Sequence, residues 1–202
     1  MGWDVEGTKK RIYQAALAEF AAHGPAATTI DRIARRARIN RERVYNYFGD
    51  KAKLFSIVIS REVEAIAPAV PLTITSVADV GEFVGRTFDY QRAHPDLARL
   101  VLWEGLLDTG AVADEASRSR IYTEKAAAIA AAQKAGIIDD GIAPGHLVFL
   151  LIALSSYWSA APQTARMLSG SDVDDEAEVA ARRAAAVEAA QRIVTPRSTA
   201  VG

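Results

Sequence analysis

The chain has 202 residues, no cysteine and a formal net charge of −1, which suits one helical domain or a small domain joined to a larger one and excludes disulfides and thiol-ligated metal sites. Neither the opening MGWDVEGTKK nor the longest apolar run, LVFLLIAL at 147–154, reaches the roughly 20 apolar residues of a membrane span, so a cytoplasmic protein with no membrane partner is expected. The small net charge hides a division: residues 1–60 carry 11 Lys or Arg against 6 Asp or Glu, the remainder 13 against 19, so the first third is the part suited to a polyanion.

Helical periodicity runs through nearly the whole chain and no stretch alternates as a strand does, which predicts an all-α fold. A first helix over about 5–23 places Ile12, Ala16 and Phe20 on one side and stops at Gly24-Pro25. Thr29 caps a second, with Ile30, Ile33, Ala34 and Ala37 spaced i, i+3, i+4, i+7. After the four-residue turn 37–40, Asn40 caps a third over about 41–48, and Asp50 caps a fourth that points Leu54, Val58 and Ile66 inward. Pro68 and Pro71 mark the boundary to a larger helical part with helices near 76–93, 96–108, 111–135, 144–160 and 174–194. The chain thus divides into residues 1–50, a connecting helix 51–67, and 68–202.

The third helix is unusually polar. In INRERVYNYFGDK, residues 39–51, Val44 and Phe48 lie about 40° apart at about 100° per residue and form a buried stripe. Glu42, Arg43 and Asn46 lie opposite, with Tyr45 and Tyr47 on the flanks and Arg41 in the first turn. Charge alone describes an ordinary solvated helix; two short helices joined by a four-residue turn, the second polar, describe a helix-turn-helix. Arg pairs with guanine and Asn with adenine in the major groove, while Tyr45, Tyr47, Thr28 and Lys51 suit phosphate oxygens. The candidate DNA contacts are Thr28, Thr29, Asn40, Arg41, Glu42, Arg43, Tyr45, Asn46, Tyr47 and Lys51.

The stretch TTIDRIARRARINRERVYNYFGDKAKLF, 28–55, resembles the DNA-binding domain of TetR-type (tetracycline-repressor-like) transcriptional regulators in Ile33-Ala34, in Val44-Tyr45-Asn46-Tyr47-Phe48 and in Gly49-Asp50-Lys51. With the first helix, the resemblance covers about 60 residues. It implies an N-terminal three-helix DNA-binding domain and a C-terminal helical domain that binds a small-molecule effector and dimerises through its last two helices. It further implies a regulator, a repressor in the leading reading, released from a pseudo-palindromic operator of double-stranded DNA by that effector. Two positions depart from the family pattern. Arg38 stands where the turn usually has Gly, which predicts a left-handed residue at a cost of about 1 kcal/mol, and Glu42 replaces a small residue.

In the larger part, helix 144–160 is apolar all round and needs cover on more than one side. Helix 174–194 aligns Ala177, Ala180, Ala184, Val187, Gln191 and Val194 at 3-4 spacing, a stripe on which another helix approaches closely; packing within the chain is the alternative. Candidate effector contacts are the aromatics Phe83, Phe88, Trp103, Tyr122, Phe149 and Tyr157, with Glu104 as a carboxylate on an apolar stripe that needs a ligand or an Arg such as Arg118 or Arg120. Three scattered His and no glycine-rich phosphate loop or paired metal-ligand motif argue against an enzyme, a metal or a cofactor. An architectural DNA binder, the other alternative, needs a larger basic surface.

Overall fold

The computed structural model describes residues 4–107, 112, 114–170, 172 and 175–197. Among these are ten helices: α1 (Val5–Ala27), α2 (Ile30–Ala37), α3 (Arg41–Phe48), α4 (Lys51–Ala69), α5 (Val77–Ala93), α6 (Pro95–Leu107), α7 (Glu115–Lys134), α8 (Pro144–Ala160), α9 (Pro162–Ser169) and α10 (Glu176–Val194). The described residues contain no strand, and no single helix among them is long and apolar enough to cross a membrane.

The described residues form two compact units, those within 4–65 together with those within 95–115, and those within 66–94 together with those within 116–197. In the first, α1 to α4 close over Ile12, Phe20, Ile33, Val44, Leu54 and Val58, all buried; each such side chain taken from water contributes about 1.5–3 kcal/mol. Phe20 and Phe55 meet edge to face at 5.2 Å. Side chains cap the helix starts as the sequence predicts. The Arg32 N–H donates to Thr29 Oγ1 at 3.3 Å, the Arg43 N–H to Asn40 Oδ1 at 3.0 Å, and the Lys53 N–H to Asp50 Oδ1 at 2.8 Å.

Gly24 breaks α1 as expected, with φ 71° and ψ 163°, but Pro25 to Ala27 then add a further turn. A side chain there would collide with an aromatic ring: an ideal Cβ lies 2.8 Å from Trp103 Cδ2. Trp103 Nε1 donates to the Ala21 carbonyl at 3.3 Å, so α6 packs on the end of α1. Helix α6 thus follows Pro68 in chain order yet belongs to the compact unit that holds α1 to α3.

The second unit is built on α5, α8 and α10, which pack against one another around Val80, Phe83, Val84, Ile129, Leu147, Leu151, Ala190 and Val194. Gly81 and Gly85 on α5 leave room for the side chains of Gln191 and Arg183 from α10, and Arg183 Nε lies 2.9 Å from both carboxylate oxygens of Asp89. At the start of α5, the N–H and hydroxyl groups of Thr75 and Ser76 all donate to Asp79 Oδ2, at 2.7–3.1 Å. Those bonds, Thr75's first, lower the Asp79 pKa to about 2. Helix α9 has no counterpart among the expected helices, and α7 starts at Glu115; residues 108–111 and 174, where other predicted ends fall, lie outside the described residues.

Candidate DNA-binding site

Helices α2 and α3 are joined by Arg38, Ile39 and Asn40. Arg38 adopts φ 56° and ψ 48°, the left-handed conformation expected at that point of the turn, and its N–H reaches back to the carbonyls of Ala34 and Arg35. The turn aims α3 so that Val44 (0% exposed) and Phe48 (6%) face the core. Arg41, Glu42, Tyr45 and Asn46 are exposed, and Arg43 and Tyr47 half-buried at the flanks. Arg41 Nη1 lies 3.6 Å from Asp31 Oδ1, and Asn40 Nδ2 donates to Glu42 Oε2 at 3.3 Å. The outer side of α3 therefore presents two guanidinium groups, an amide and a phenol, with Glu42 drawn back toward its N-terminal cap.

Two expected phosphate contacts stand differently. Thr28 is fully buried and its hydroxyl donates to the Glu19 carbonyl at 3.1 Å, so it is an internal tie and presents no group to a phosphate. The neighbouring Thr29 is the exposed cap. Lys51 Nζ donates to the Thr28 carbonyl at 3.0 Å, joining the start of α4 to the loop before α2. An ammonium has three N–H groups, so Lys51 keeps donors beyond this bond.

Sequence reasoning missed Glu19. Its carboxylate is 8% exposed and receives Arg32 Nε at 2.8 Å and Arg36 Nη1 at 3.3 Å, clamping α2 onto α1. The signal was present: Ile12, Ala15, Ala16, Glu19 and Phe20 share one helical stripe, and all five are buried.

The proposed effector residues are divided between the two units. Phe83 and Phe88 are buried, Phe83 under Lys125 Nζ at 4.9 Å from the ring centroid. Trp103 and Glu104 are half-buried on α6 in the first unit. Tyr122 is exposed, while Phe149 and Tyr157, expected to line a chamber, are 73% and 65% exposed on α8. Gln91 carries no sequence signal of a site, yet it is buried and, among the described residues, its Oε1 has no hydrogen-bond partner. Its Nε2 donates to Ser156 Oγ at 3.4 Å. Burial also lowers the Lys125 pKa, with the charge of Arg86 adding to the effect.

The stripe proposed on α10 also divides. Ala177, Ala180 and Ala184 are exposed, Val187 and Gln191 half-buried, and Val194 is fully buried in its own unit. A 3-4 repeat drifts by about 20° per heptad on a straight helix, and here the drift carries the stripe from solvent into the core.

Residues 12–58 match the family described as bacterial regulatory proteins, tetR family, and residues 79–192 match the tetracyclin repressor-like C-terminal domain. The chain belongs to the TetR family. Like other TetR-family members it is a DNA-binding transcriptional regulator and not an enzyme. It is 41% identical over 168 residues to the HTH-type transcriptional repressor SCO4008 of Streptomyces coelicolor, covering 83% of this chain and 86% of that one. Identity to the HTH-type transcriptional regulator RutR of Escherichia coli is 27%, over 85% and 83% of the two chains. The crystal structure of SCO4942 from Streptomyces coelicolor superposes with a TM-score of 0.79 at 34% identity, over 93% of this chain and 98% of that one.

Proposed function

We propose that this TetR-family regulator is a repressor that binds a pseudo-palindromic operator as a homodimer and leaves it when a small-molecule effector binds. The observation that carries the reading is α3, held by two buried side chains and offering Arg41, Arg43, Asn46 and Tyr45 outward. Arg43 and Asn46 are the base readers, each bidentate contact discriminating by roughly 1–3 kcal/mol. Thr29, Asn40, Tyr45, Tyr47 and Lys51 hold phosphates and so set the register, while Arg41 and Glu42 border the bases at the N-terminal turn. One such helix reads few base pairs; two related by a two-fold axis read half-sites about 34–36 Å apart.

The dimer is supported by α8. Leu147, Val148 and Leu151 are buried, yet Phe149, Leu150 and Tyr157 of the same helix are exposed, an apolar side that a second copy covers. The exposed alanines of α10, Ala177, Ala180 and Ala184, suit close approach of helices in the same interface. Effector binding acts through the second unit, with Phe88 and Tyr122 as apolar contacts and Gln91 as polar anchor, its uncapped Oε1 calling for a donor. The effector releases DNA only by preferring the protein conformation that separates the two α3 helices wrongly, with α4 transmitting the change.

Selection of bound duplexes from a random pool tests the reading. A two-fold symmetric consensus is expected; a consensus without symmetry would defeat the dimeric operator.

A further inference from the structure

The reading helix does not hold the positive charge of its unit. Helix α3 carries Arg41 and Arg43 against Glu42, and Arg41 is paired with Asp31. The excess lies on the outer side of α1 and α2, in two adjoining hollows. One, of about 440 Å³, is lined by Arg11, Gln14, Ala15, Arg36, Ala37 and Arg38. The other, of about 540 Å³, is lined by Glu19, Arg32, Arg35 and Arg36. Arg36 belongs to both. Five arginines thus stand beside one carboxylate, and Glu19 is already engaged by Arg32 and Arg36. Among the described residues Arg35 and Arg38 enter no ion pair, and Arg11 has a single long bond of 3.4 Å to Thr8 Oγ1.

A cluster of like charges is self-repulsive unless an anion meets it. Arg32 and Arg36 are also fixed in place by the Glu19 clamp, so part of the array is ordered before any partner arrives. Guanidinium groups match phosphate oxygens in geometry as well as charge. Duplex DNA, which this unit already binds, presents a negative charge about every 1.7 Å of axis. The geometry points to a second, sequence-independent DNA contact: the α1–α2 arginine surface takes backbone phosphates of the duplex flanking the half-site that α3 reads. This inference rests on the operator-binding reading above.

The test is the salt dependence of operator affinity, measured on a duplex with long flanks and on one trimmed to the two half-sites. The variant Arg11→Gln/Arg35→Gln/Arg38→Asn removes three charges and leaves the Glu19 clamp, and Asn suits the left-handed position. The slope of log affinity against log salt falls by about 0.9 for each phosphate that is no longer neutralised. On the flanked duplex the variant is expected to lose about 2–3 units of slope per protomer. On the trimmed duplex its slope equals that of the wild type, and its selected consensus is unchanged. Arg35→Gln alone, on an open helical face, is expected to lower the slope by about 0.9 per protomer and serves if the triple variant unfolds. Equal slopes for wild type and variant on the flanked duplex overturn the proposal, and so does an equal reduction on both duplexes, which is the behaviour of a general field. Failure of the wild type to bind any duplex is a different result, and it sinks the operator reading itself.

Discussion

Arg38 shows what one residue does to the turn. Its φ of 56° costs an L-residue about 1–2 kcal/mol, and the two hydrogen bonds from its N–H end α2 at the point where α3 must start. Arg38→Gly is expected to raise stability to denaturant by about 1 kcal/mol, whereas Arg38→Ala keeps the strained backbone and is expected to gain little; equal effects of the two would show that the strain is absent. Arg43→Ala is expected to relax base preference at one position of each half-site by roughly 1–3 kcal/mol; duplex selection with the variant would reveal a consensus unchanged at every position if Arg43 does not read a base. At this scale the strain at Arg38 was legible through the family resemblance, in which glycine usually holds that position of the turn. The roles of Thr28 and Thr29 were not. Two adjacent threonines look alike in sequence, and only the packing of α1 against the loop decides which one turns inward.

Among the elements, the pairing of α1 with α2 depends on Glu19. Glu19→Gln keeps the shape and removes the charge from two hydrogen-bonded guanidinium contacts, each partly exposed, so a loss of about 1.5–3 kcal/mol is expected, read by thermal or chemical unfolding. The start of α5 has a pH dependence. Asp79 has its carboxyl held at about 2 in the fold against about 3.9 in an unfolded chain. A depressed carboxylate contributes stability that is complete above the unfolded value and fades as pH falls through the folded one. The stability difference between wild type and Asp79→Asn is therefore expected to be full above about pH 4 and to shrink toward zero near about pH 2; a difference independent of pH would refute the assignment. The starts of α2, α3 and α4 were legible because their first N–H groups need acceptors, and Thr29, Asn40 and Asp50 stand where these are needed. Helix α9 was missed for the converse reason. Pro162 reads as an interruption after α8, but proline also suits the first turn of a helix. A segment of eight residues offers too little periodicity to choose between the two.

For the whole molecule, the fold class and the DNA-reading unit could be read from the chain, since they rest on local periodicity, caps and one motif. The packing of α6 on α1 could not. That contact joins Trp103 to Ala21 across 82 positions, and nothing local to either residue announces it. The aromatics proposed to meet an effector had the same defect: hydrophobicity says that a residue seeks cover and not whether its own chain or a second copy supplies it. Phe149 and Tyr157 make the distinction testable. Phe149→Glu/Tyr157→Glu changes exposed positions, so helicity and the melting transition should persist, while sedimentation is expected to shift from dimer toward monomer and operator affinity to collapse. A double variant that sediments like the wild type removes α8 from the interface.

The indole seated over Gly24 also makes the molecule its own fluorescent gauge. The chain has three tryptophans. With Trp3 and Trp158 replaced by phenylalanine, emission comes from Trp103 alone, a half-buried ring against a glycine backbone with its N–H on a carbonyl. Loosening of α6 from the kinked end of α1 hydrates that ring and moves its emission to longer wavelength. Titration of candidate effectors can then follow that junction by light, without an attached dye and without DNA in the cuvette.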